Sequence, residues 1–189
     1  MSAPSSVPAE LRLPALLFTA LLAACKPPAA DDYSAREEAA NKRDAPSTPI
    51  ESPDVSRAIW AESGQGARLL YGNPGELPLL VLSCEGSREA PVLRIIREAP
   101  ADKGAKALFA LIGNGHAERL PVDASWTGKR WLWEASFAAA DPRMEVFDGP
   151  REVEATLPGG GTLVLKPSPL PGAFLHYCRG DAVSAAPEQ

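Results

Sequence analysis

Histidine is nearly absent from this chain, with two residues among 189, and aromatic side chains make up only 6%. His116 and His176 stand 60 residues apart, without the Cys or His spacing of a structural or catalytic zinc site, so no metal is expected. A basic excess is missing too. Lys and Arg number 19 against 24 Asp and Glu, a net charge of −5, which argues against nucleic acid as a partner because that binding is driven by neutralising phosphates. There is no Gly-x-Ser-x-Gly elbow, Walker loop or dinucleotide fingerprint, and no cofactor is expected. Long helices are disfavoured by 20 Pro and 15 Gly, which interrupt helix formers and demand frequent turns. What the chain does have is 45% hydrophobic residues, enough for one packed core.

The longest apolar run lies between Arg12 and Cys25 and ends in Leu22-Ala23-Ala24-Cys25. At roughly 12 residues it is too short for about 30 Å of hydrocarbon but suits the apolar region of a secretory signal. The four-residue ending resembles the lipobox of bacterial prolipoproteins. That resemblance implies a signal peptide over residues 1–24, cleavage before Cys25, and a diacylglycerol on the Cys25 thiol. Several acyl chains at about 0.8 kcal/mol per buried CH₂ make a stable membrane anchor. Lys26 resembles the pattern that sends lipoproteins to the outer membrane, so the expected location is the cell envelope, facing the periplasm. Glu10 beside Arg12 departs from the usual positive start of such signals.

Residues 25–57 read as a disordered, Pro/Ala-rich tether. Beyond Cys25 it carries five basic and seven acidic residues but only Tyr33, Ile50 and Val55 as larger apolar side chains. So little apolar surface does not offset the entropy of ordering.

Residues 58–180 read as one all-β domain, an antiparallel sandwich or small barrel of eight to ten short strands, followed by a disordered tail over residues 181–189. Glu152-Val153-Glu154-Ala155-Thr156-Leu157 alternates, turns through Pro158-Gly159-Gly160-Gly161, and continues as a second alternating run, the pattern of a hairpin. A second hairpin is expected from residues 107–112 and 116–123 around Gly113-Asn114-Gly115, since Asn and Gly tolerate positive φ. Leu79-Leu80-Val81-Leu82-Ser83-Cys84 reads as a central strand covered on both faces, with residues 92–97 as its antiparallel neighbour. Met144-Glu145-Val146-Phe147 is a further short apolar segment between turns, and residues 173–178 are expected to form the last strand.

With Cys25 assigned to lipid, Cys84 and Cys178 remain, and an even residual count in an exported chain reads as one disulfide. His116, Asp123 and Ser125 could be drawn as a catalytic trio. On a strand, however, their odd offsets put Asp123 and Ser125 on the face opposite His116. Trp131, Trp133 and Phe137 alternate along one strand face and are expected in the core, whereas Trp126 sits in a loop and is the candidate for partner binding.

A small lipid-anchored β-domain with one disulfide resembles, in general layout, the periplasmic inhibitors of C-type lysozyme. Ser63-Gly64-Gln65-Gly66-Ala67-Arg68-Leu69-Leu70-Tyr71 is similar, with insertions, to the Ser-Gly-Ala-Arg-Tyr stretch of that family. As a whole the chain resembles proteobacterial lipoproteins that join a signal, a tether and a compact β-domain, a class with no assigned activity. The expected function is therefore a non-catalytic binding or structural module, held to the membrane through Cys25, with an envelope protein or glycan as partner. A small periplasmic hydrolase using His116, or a lysozyme-inhibitor-like protein, is the alternative.

Overall fold

A computed structural model of the chain describes residues 48–181. The signal peptide, Cys25 and most of the tether lie outside the described residues, as does the tail beyond Asp181. Nine strands form one antiparallel sheet: β1 (Ile59–Glu62), β2 (Arg68–Gly72), β3 (Leu80–Gly86), β4 (Pro91–Pro100), β5 (Lys106–Gly113), β6 (His116–Trp126), β7 (Trp131–Ala138), β8 (Val153–Leu157) and β9 (Gly161–Leu165). Their order in space is β1-β2-β3-β4-β7-β6-β5-β8-β9, and the sheet curls into a half-barrel. The all-β class and the strand number are as the alternation indicates.

Local sequence explains the turns. The β5–β6 hairpin closes through Asn114 and Gly115, with φ of 48° and 86° and Gly113 paired to His116. Two central residues at positive φ match the right-handed twist of the flanking strands, which is why an Asn-Gly pair specifies this turn. Leu80, Val81, Leu82 and Ser83 of β3 are all buried, and β3 pairs with β4 from Leu80 opposite Arg97 to Gly86 opposite Pro91.

The core fills the concave side. Leu69 and Tyr71 of β2, Leu93 and Ile95 of β4, Phe109 and Leu111 of β5, and Leu120 of β6 are almost completely buried there. Helix α1 (Leu170–Arg179) and a single 3-10 turn (Pro142–Phe147) close one end, contributing Leu175, Met144, Val146 and Phe147.

Three sequence readings are corrected. Residues 173–178 are not a strand but the body of α1, whose buried Pro171, Leu175 and Cys178 recur with helical spacing. Two prolines in or before its first turn and Gly180 at φ 75° after its last are the ordinary signals of a helix start and stop. The second is Trp126, which is not in a loop but ends β6, paired with Trp131, while the short apolar segment Met144-Glu145-Val146-Phe147 lies in the 3-10 turn, capped by Asp141 accepting from Arg143 N. The third is Trp131, which lies outside the core cluster, while Trp133 is buried within it and donates Nε1–H to Pro100 O at 3.1 Å.

The outer strands β1 and β9 share no backbone ladder, yet side chains tie their edges together. Trp60 Nε1 donates to Lys166 O at 3.2 Å. Tyr71 Oη donates to Val164 O at 2.6 Å and accepts from Lys166 N at 3.2 Å. The chain upstream of β1 runs along β9: Ile50 N donates to Gly159 O, Thr162 N to Ser52 Oγ, and Lys166 Nζ to Ser56 O. Of the tether expected over residues 25–57, the described part thus already touches the barrel. A Tyr71→Phe variant keeps the ring and loses both seam bonds; we expect a loss of about 1–2 kcal/mol in urea unfolding, because a half-buried carbonyl and amide are left without that partner.

Candidate functional site

The β1–β2 connection is short and built from small residues. Ser63 N donates to Arg68 O, Arg68 N to Gly66 O, and Gly66 takes φ 71°, so the turn is narrow and leaves room beside it. Helix α1 comes up against this turn because of its fit to the 3-10 segment. Gly172 lies so close to Asp148 that a Cβ would collide with the carboxylate. One turn further on, His176 Nε2 meets Asp148 Oδ2 at 3.1 Å. Arg179 Nε donates to Ala139 O and its guanidinium lies 2.6 Å from Glu145 Oε1. The expected bridge between Cys84 and Cys178 is formed and fastens the other side of the helix to β3.

Between turn and helix opens a cleft of about 460 Å³, with Glu62, Ser63 and Arg68 on one wall and Phe174 and Tyr177 on the other. Past Tyr177 the surface continues into a second depression of about 680 Å³ above the disulfide, bordered by Glu85, Arg88 and Asp181. Tyr177 is 59% exposed, its ring 6.3 Å from that of Phe174. Glu85 is held by Arg94 at 3.2 Å. Arg68 and Arg88, one on each side of Tyr177, form no ion pair among the described residues. An exposed aromatic face between guanidinium groups is suited to a flat or extended ligand carrying carboxylate.

His176 stands at the edge of this region. Its Nδ1 lies 3.1 Å from Asp181 Oδ2, so carboxylates face both ring nitrogens, and these bonds, Asp181 first and then Asp148, raise its pKa above 6.5. The folded state therefore favours the imidazolium. Its stabilisation is complete below the unfolded pKa and fades as pH rises through the folded value. Thermal melts between pH 5 and 8.5 should show wild type losing more stability than His176→Gln on the alkaline side; equal pH profiles would exclude this role. The pair is solvent-accessible, so the effect is small.

The other sequence candidates are dispersed. His116 Nδ1 lies 3.9 Å from Glu118, and Asp123 is paired with Lys106 at 2.7 Å. The alternation of β6 puts Asp123 and Ser125 on the opposite face from His116. Trp126, at the end of β6, is 54% exposed and lies directly across from Trp131 of β7, with ring centroids 5.6 Å apart and planes at 49°. Among the described residues no group of three or more His, Cys, Asp or Glu is placed to hold a metal.

No family model, curated protein or solved structure matches this chain. The cleft and the depression beside it were invisible to sequence reading because distant segments build them: residues 62–68 and α1 for the first, residues 84–88 and α1 for the second. The one signal that touched the cleft is the string Ser63-Gly64-Gln65-Gly66-Ala67-Arg68, singled out for a different reason.

Proposed function

We propose that the protein is a non-catalytic binding module of the bacterial envelope, anchored through lipid on Cys25 and facing the periplasm, which receives its partner in the cleft beside α1. The observation that carries this reading is the exposed Tyr177, backed by half-buried Phe174 and set in the same concave surface as Arg68. Aromatic and arginine side chains in a desolvatable hollow are the groups that most often dominate binding energy. The partner class is an envelope protein or glycan that offers a carboxylate to Arg68 and an apolar face to Tyr177. Immobilised protein incubated with envelope extract should retain such a partner, and Tyr177→Ala or Arg68→Glu should each reduce recovery about fivefold or more, since losing one central contact costs about 1–3 kcal/mol. Undiminished recovery by both variants would remove the cleft from the binding surface.

One observation favours a narrower form of the same reading. The stretch that resembles the lysozyme-inhibitor motif, from Ser63 to Arg68, forms one wall of the cleft. Under that reading, adding the protein to a C-type lysozyme assay lowers the rate of cell-wall lysis and Tyr177→Ala restores it. Full lysozyme activity at a large molar excess of wild-type protein would exclude it.

A further inference from the structure

Trp126 and Trp131 form a cross-strand pair at the end of the barrel away from α1, with Trp126 more than half exposed. Indoles left in water at a hairpin tip are an unfavourable placement unless something covers them. Among the described residues, two unpaired lysines flank the pair, beside Asp102 and the Arg130–Glu98 ion pair. Thr127-Gly128-Lys129-Arg130 joins the two strands, and Arg130 is paired with Glu98 at 2.6 Å. The β4–β5 loop packs beside them, with Ala101 N donating to Trp131 O and Ala124 N to Ala105 O, and it carries Lys103. Lys103 and Lys129 are exposed and form no ion pair among the described residues. Amphipathic indoles flanked by two long ammonium side chains suit the headgroup layer of a bilayer, where the ring is half desolvated and the ammonium meets phosphate.

The path of the chain points the same way. Ile50 N donates to Gly159 O, the adjacent Gly160 O accepts from Arg97 Nη2, and Arg97 is paired across the sheet with Trp133, two residues from Trp131. The chain coming from Cys25 therefore joins the barrel at the tryptophan end. The β1–β2 turn and α1, which build the cleft, lie at the other. Twenty-five peptide units separate Cys25 from Ile50 and span at most about 85 Å even when fully extended, so an anchored barrel never leaves the neighbourhood of lipid and a weak surface affinity suffices to orient it.

We propose that the barrel end bearing Trp126 and Trp131 rests on the lipid bilayer that holds Cys25, which turns the cleft beside α1 away from the membrane. The proposal rests on the lipid-anchor reading of Cys25, and the test separates the two. The full lipid-modified protein, extracted from membranes, is reconstituted into phosphatidylethanolamine and phosphatidylglycerol vesicles, either plain or brominated on the acyl chains. Bromine quenches tryptophan only near contact, and Trp60 and Trp133 are buried. Wild-type fluorescence should fall in brominated relative to plain vesicles. Trp126→Phe should lose much of that quenching, and the Trp126→Phe, Trp131→Phe double variant all of it. Protein that floats with the vesicles without being quenched overturns the docking and leaves the anchor standing. Quenching that persists in the double variant also overturns it, because the contact would then lie at Trp60 or Trp133. Protein that fails to float overturns the anchor and, with it, the docking.

Discussion

Replacing Cys84 and Cys178 together by alanine should be among the most damaging changes this fold can receive, lowering unfolding free energy by about 4–5 kcal/mol in the chain-entropy account. The bridge closes a loop with a sequence separation of 94, so most of the barrel gains freedom in the unfolded chain when it is absent. For a domain of this size such a loss lowers Tm by roughly 10–20 °C. The folded state is affected as well. Cys178 is the last buried residue on the inner stripe of α1, and half-buried Cys84 follows the buried part of β3, so the bond fixes the helix that carries Phe174 and Tyr177 against the sheet. Without it the helix keeps Leu175 in the core and the polar ties of His176 and Arg179, and the cleft wall loosens before the barrel does. Calorimetry of the double variant measures the first effect, and partner recovery at a temperature where the barrel is still folded measures the second. A double variant that melts within about 2 °C of wild type would show that the unfolded chain gains little freedom when the bridge is removed.

The strand framework was legible because its signals are local. Asn114-Gly115 and Gly159-Gly160-Gly161 bracket strands whose apolar residues alternate, and the sheet used both hairpins as written. Helix α1 was not read, since Ala173-Phe174-Leu175-His176-Tyr177-Cys178 mixes apolar and polar residues without a clear period. The helical stripe appears only when Pro171 is counted with Leu175 and Cys178. Pro169 and Pro171 mark the first turn of the helix, where the missing N–H costs nothing. Trp131 was misplaced for another reason. Alternation fixes which face a residue occupies but not how far along the barrel axis the core extends, and Trp131 sits beyond the end of it. The cleft needed contacts between residues more than a hundred positions apart, which no local pattern records.

The inner face of β4 reads Leu93, Ile95, Arg97, Ala99, placing a guanidinium at a core position, and from this follows a prediction that sets two substitutions at one site against each other. Arg97 is 2% exposed. Its Nη1 donates to Leu79 O and its Nη2 to Gly160 O, each at 3.0 Å, and Nε has no partner among the described residues. No carboxylate forms an ion pair with it among the described residues. Burial accordingly pulls its pKa from the ordinary guanidinium range down to about 10. The folded protein thus releases this proton more readily than the unfolded chain, so below about pH 10 the charge opposes folding, by on the order of 3 kcal/mol, and the penalty is relieved as pH rises through that value. Arg97→Met removes the charge and keeps most of the volume, so we expect it to lie within about 1.5 kcal/mol of wild type or to stabilise, as apolar replacement of buried ions often does. Arg97→Ala leaves Leu79 O and Gly160 O without their donor just as Met does, but also opens a cavity between β3 and the β8–β9 turn, and should cost about 2–4 kcal/mol. Urea midpoints at pH 7.5 distinguish the two. Between pH 9 and 11 wild type should gain stability relative to Arg97→Met, a comparison in which Tyr71 and the lysines titrate in both proteins and cancel. If Met proves as costly as Ala, the two carbonyl bonds that clamp the β8–β9 turn to the start of β3 outweigh the burial of the charge, and Arg97 is a net stabiliser of the barrel's tryptophan end.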